Sequence, residues 1–141
     1  MKVSELEGKL LDVWVAKAQG NMIAVHKRGE DVIGYSLYFY SGDTPGVPDY
    51  STDWADGGPV MEKAAIGWRN NPSIGIHVGA HKGLSSVDEQ PWEGWFCDDG
   101  PMGGNVVHQH VQTGKTMLEA CMRAYVASVY GEEVPDDVSL K

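Results

Sequence analysis

Two capped, amphipathic segments near the two ends of the chain constrain this fold most. The first opens with Ser4-Glu5-Leu6-Glu7. Such a capping box lets the serine hydroxyl accept from a first-turn amide while the glutamate reaches back to the serine amide. Leu6, Leu10, Val13, Trp14 and Lys17 then follow helical spacing, and Leu11 and Ala18 widen the apolar face. The pattern predicts a helix over residues 5–19, stopped at Gly20-Asn21 by a left-handed turn. The second segment opens with Thr116-Met117-Leu118-Glu119. Its buried stripe is Leu118, Cys121, Met122, Tyr125 and Val129, its small residues Ala120, Ala124 and Ala127 allow close packing, and Gly131 ends it. Glu119 lies one helical turn from Arg123, which reads as a surface ion pair.

Between the helices the periodicity changes. Residues 22–26 and 32–40 read as strands of a hairpin around a turn at 27–31. Ile33, Tyr35, Leu37 and Phe39 share one face, expected to pack on the first helix, with half-exposed tyrosines opposite. Proline and glycine keep 41–59 a loop, and Pro59 suits the first position of a short helix over 60–66. Further strands are expected over 74–78, 92–97 and 106–111, with a loop over 79–90 and a turn over 98–104. This is an α+β pattern: two main helices packed on a small, mostly antiparallel sheet, with a long central loop and a short helix. Helical stretches are too few for a βαβ repeat. The chain of 141 residues reads as a single domain, 1–141, with 132–141 as a frayed extension.

Charge narrows the partners. A net charge of -9 opposes direct nucleic-acid binding, which needs a basic face, and suits a basic protein partner. No apolar run is long enough to span a membrane. Cys97 and Cys121 lack the spacing of a zinc motif and fit free thiols in a reducing cytoplasm.

The central stretch, residues 49–59, is the best-furnished candidate site. Tyr50 and Trp54 can stack on a flat ligand; Ser51, Thr52 and Asp53 offer hydrogen bonds. Gly57 and Gly58 allow close backbone approach, and Arg69 is a cation a little downstream. Two readings stand. In one, Trp54 anchors the loop in the core while residues 50–53 form a recognition surface. In the other, the loop is structural and its aspartates cap turns, as Asp53 and Asp56 in a Gly-Pro-rich stretch commonly do.

Other motifs carry less. Gly114-Lys115-Thr116 has Gln109 where a phosphate loop needs glycine, so the threonine reads as a helix cap. His108 and His110 alternate on one strand and are candidate metal ligands. They need a third ligand from His77, His81 or Asp98, which only the fold can bring near. No nucleophile elbow surrounds any serine, Cys121 sits on an apolar stripe, and acidic neighbours disfavour a Cys97 thiolate. No cofactor is implied.

Three segments together resemble the NinX-like phage proteins. They are the opening Met1-Lys2-Val3-Ser4-Glu5-Leu6 with Trp14-Val15-Ala16-Lys17-Ala18-Gln19-Gly20, the motif Tyr50-Ser51-Thr52-Asp53-Trp54-Ala55-Asp56-Gly57-Gly58-Pro59-Val60-Met61-Glu62, and the closing Met122-Arg123-Ala124-Tyr125-Val126-Ala127-Ser128. The resemblance covers about half the chain; residues 72–115 carry little of it. It implies a phage or prophage accessory protein of the bacterial host cytoplasm and brings no established activity. The expectation is a non-enzymatic binder of a small polar or nucleotide-type ligand, or of a host protein, through residues 50–59. The alternatives are an acidic inhibitor that mimics DNA towards a host protein, and a metal-dependent hydrolase built on His108 and His110. Tyrosines on the hairpin leave an oligomer open.

Overall fold

The computed structural model describes residues 1–38, 46–69, 76–82, 92–98 and 107–139, with side chains left aside over 64–69, 76–82, 92–98 and 107–111. Among the described residues, two antiparallel sheets and three α-helices make an α+β fold. The hairpin pairs β1 (Ile23–Arg28) with β2 (Asp31–Leu37). The second sheet is a meander of β3 (Ile76–Lys82), β4 (Trp92–Asp98) and β5 (Val107–Gly114), in that order. The helices are α1 (Gly8–Ala18), α2 (Trp54–Arg69) and α3 (Met117–Tyr130).

The helix α3 is the centre of the molecule. It packs on β3, β4 and β5, and α1 packs on it. The helix α1 also touches β1 of the hairpin. The cap of α3 follows the sequence pattern: the Thr116 hydroxyl accepts from the Glu119 amide at 3.1 Å, and Glu119 Oε1 accepts from the Lys115 amide at 3.0 Å. Gly131 closes the helix at φ 87°. Gly114 lets the strand end meet the helix, since a β-carbon there would stand 2.6 Å from the Ala120 amide nitrogen. The Gly114-Lys115-Thr116 stretch is thus a strand-to-helix turn. Val129, expected on the buried stripe, is exposed.

Arg123 corrects the surface reading of its pair with Glu119. Its side chain is 2% exposed, because both the sheet and the N-terminal segment pack against α3. Its Nε donates to the Leu6 carbonyl at 2.8 Å and a terminal nitrogen donates to the Thr113 carbonyl at 2.7 Å. The Glu119 carboxylate lies 3.3 Å from the guanidinium. Burial lowers the Arg123 pKa, and Glu119 and Glu7 pull it back up.

The first helix starts later than its sequence suggests. Residues Val3–Glu5 form a single 3-10 turn, and α1 begins at Gly8. The reason is burial: Val3 and Leu6 are fully enclosed, a three-residue spacing that the tighter turn aligns. Trp14 meets Tyr130 edge to face at 5.3 Å, joining α1 to α3. The hairpin is buried only at its α1 end, where Leu37 is enclosed; Ile33, nearer the turn, is 65% exposed. Pairing extends β1 and β3 beyond their expected ends.

The segment after Gly131 is docked, not frayed, over residues 132–139. Val134 and Val138 are buried, the Val3 amide donates to the Glu132 carbonyl at 2.9 Å, and Lys17 Nζ donates to the Val138 carbonyl. No helix among the described residues is long and apolar enough to cross a membrane.

Candidate functional site

The central stretch folds as a strap over α1 that turns directly into α2. Two side chains one turn apart on α1 hold it. The Lys9 ammonium donates to the Val47 carbonyl and to Asp49 Oδ1, both at 2.7 Å. Asp12 Oδ1 accepts from the Ser51 amide, also at 2.7 Å. Asp12 is 2% exposed, and Lys9 lies 3.7 Å from its other oxygen. Burial pushes the Asp12 carboxyl above its usual range; Ser51 and Lys9 oppose that rise, while Asp49 adds to it. The Ser51 hydroxyl oxygen is enclosed near Asp12, whose pKa it lowers, but makes no hydrogen bond of good geometry among the described residues.

The two aspartates expected to cap do so. The Asp53 carboxylate accepts from the Ala55 amide at 2.9 Å, and the Asp53 carbonyl accepts from the Gly57 amide. Asp56, in the first turn, accepts from the Asp49 amide at 2.9 Å. Carboxylates at a helix N-terminus satisfy free amides and oppose the positive end of the dipole. These contacts start α2 at Trp54, six residues before the expected start, and leave Pro59 inside the helix. Pro59 lacks the amide that would bond back to Ala55.

That early start reverses the expected roles of the two aromatics. Trp54 occupies the first helical position and is 53% exposed, so it does not anchor the strap in the core. Tyr50 does that, at 7% exposure within the core cluster. Burial raises its phenol pKa, with Asp56 and Asp12 adding to the shift. Ser51 is buried against Asp12 and offers no recognition surface. Thr52 and Asp53 are exposed. Gly57 does allow close backbone approach, but to the protein itself: its added β-carbon would clash with the Tyr50 carbonyl oxygen and stand 2.7 Å from Leu118 Cδ1. Gly58 meets nothing within 4 Å.

Arg69 ends α2, beyond the residues whose side chains are described. His108 and His110 lie on β5, where the backbone alone is described. Among residues with described side chains, no group of three His, Cys, Asp or Glu is arranged to hold a metal. A cleft of about 330 Å³ is lined by Ala18, Gln19, Val60, Lys63 and Tyr125 and takes in no residue of the strap. Burial pushes the Cys121 thiol up to about 12, so it is no nucleophile at neutral pH.

Sequence reasoning missed Lys9 and Asp12. A signal was present: Leu10, Leu11, Val13, Trp14, Val15 and Ala16 leave α1 almost no polar face. A helix apolar all round must be covered on both sides, which forces Asp12 inside with a partner of its own.

The fold and this strap define a small α+β protein whose central motif caps and packs the start of α2 and leaves Thr52, Asp53 and Trp54 exposed. The chain matches the family model described as Bacteriophage P22, NinX over residues 2–129, and it belongs to that family. It is therefore a phage accessory protein. No curated protein matches it.

Proposed function

We propose that this accessory protein acts by binding rather than by catalysis, and that it engages a host protein in the bacterial cytoplasm. The surface is the start of α2, centred on Trp54 and rimmed by Thr52, Asp49 and Asp53. The observation that supports it is the exposure of Trp54 beside residues committed to packing. An exposed indole among carboxylates suits a basic segment: the ring offers its face to a cation, and the carboxylates offer charge. The net charge of -9 speeds the encounter with such a partner. A small polar or nucleotide-type ligand is less well supported, because Tyr50 and Ser51 are enclosed and several strap amides are already bonded.

The test is capture of host proteins by the wild-type chain and by Trp54→Ala, with circular dichroism confirming that both are folded. A host protein retained by the wild type and lost by the variant supports the reading. Equal capture by both, or loss that accompanies unfolding, removes it.

A further inference from the structure

The three-stranded sheet carries an alignment that neither the strap nor Trp54 uses. His77 on β3 pairs directly with Cys97 on β4, and Cys97 pairs directly with His108 on β5. Directly opposed residues of antiparallel strands share a face, with β-carbons about 4.5–5.5 Å apart. The three positions form one row across the sheet, about 10 Å from end to end at the usual strand spacing. No other row of this sheet has a metal-ligating residue type on all three strands.

The order within the row matters chemically. Cysteine, the shorter residue, holds the middle position and histidine, the longer, holds each flank, so three zinc-ligating residue types occupy adjacent register positions. Beside the row, pairing passes from Phe96↔Gln109 to Gly94↔Gln112. Two residues of β5, His110 and Val111, therefore oppose Trp95 alone. Such bulges re-aim strand positions and recur beside functional sites. His110 thus sits at an irregularity two residues from His108. On β3 the position two beyond His77, on the same face, is Gly79.

We infer that the row His77–Cys97–His108 is a binding site for a zinc-class divalent transition metal, with His110 or solvent completing the shell. Two imidazoles and a thiolate form a borderline-soft set that selects zinc, cobalt or nickel over calcium and magnesium. The ion ties β3, β4 and β5 together near one end of the sheet. The inference is independent of the binding surface at Trp54.

Cobalt(II) titration of the reduced, tag-free protein tests it. The expected result is one cobalt per chain, with visible bands of tetrahedral geometry and a near-ultraviolet thiolate-to-cobalt band, all displaced by zinc. Cys97→Ser abolishes the thiolate band. His77→Gln and His108→Gln each weaken cobalt binding at least tenfold, and these two decide the matter should Cys97→Ser fail to fold. His26→Gln, on the hairpin, leaves the titration unchanged. A wild-type chain with no thiolate band overturns the inference. So does a band that survives Cys97→Ser, or binding untouched by both histidine variants.

Discussion

Gly57 of α2 lies against the Tyr50 carbonyl so closely that no β-carbon fits between them. The contact joins the strap to the helix it starts, and Leu118 of α3 closes the other side. The next residue, Gly58, faces open space. Gly57→Ala must therefore shift two backbones, whereas Gly58→Ala only restores helix propensity. The expected outcome is a large drop in melting temperature for the first. The second is unchanged or gains up to about 1 kcal/mol. Thermal denaturation of the pair checks this, and equal effects would contradict the packing described.

Asp12 gives stability a pH dependence of defined sign. Its folded pKa is raised, chiefly by burial. Between its unfolded and folded values the native state holds more proton, so its contribution is fully present at lower pH and lost as pH rises through the folded value. Asp12→Asn removes that term and keeps an acceptor for the Ser51 amide. The difference in stability between wild type and Asp12→Asn should shift towards the variant as pH rises through this window. Asp12→Ala leaves the Ser51 amide without its partner and should cost about 1–3 kcal/mol. Urea melts across the acidic to neutral range measure both.

Replacing Arg123 should damage the fold more than any surface charge. Two carbonyls, from Leu6 and Thr113, accept from its guanidinium, and Glu119 faces it. Arg123→Ala strands these groups and should cost about 3–5 kcal/mol. Arg123→Lys keeps the charge but not the fork that reaches both carbonyls, and should recover only part of the loss. Denaturant unfolding of the two variants decides between this role and a simple ion pair.

The Cys121 thiol should be silent until the protein unfolds. It is fully enclosed on α3 and its pKa is pushed up to about 12. In a Cys97→Ser background, a thiol reagent at mildly alkaline pH should label nothing in the native state and one group per chain in denaturant. Rapid native labelling would contradict the packing of α3.

Local chemistry was the legible part of this sequence. The Thr116 cap, the Gly131 stop, the hairpin and the capping aspartates all depend on neighbours a few residues away. What was hidden depends on distant partners. Ser4-Glu5-Leu6-Glu7 has the letters of a capping box, yet the burial of Val3 and Leu6 draws it into a 3-10 turn. Tyr50 and Trp54 are both large aromatics in one loop. Which goes inside is decided by Lys9 and Asp12 on α1, about forty residues earlier, where the strap is fastened. From sequence Arg123 reads as half of an exposed pair, because Leu6, one of the residues that enclose it, lies far away in the chain.

The docked segment after α3 has a consequence for chain order. The Met1 ammonium donates to the Val134 carbonyl at 2.8 Å, and Lys2 bridges antiparallel to Glu133. Residues 1–3 and 132–134 are thus neighbours, although almost the whole sequence separates them. The Gly29-Glu30 turn, by contrast, is exposed at the tip of the hairpin. A circular permutant opened at that turn, with a linker running back to Met1 from beyond residue 139 so that residues 132–139 stay docked, would keep α1, the strap and α3 intact. Their arrangement rests on contacts in space, and the chain can be cut and rejoined around them.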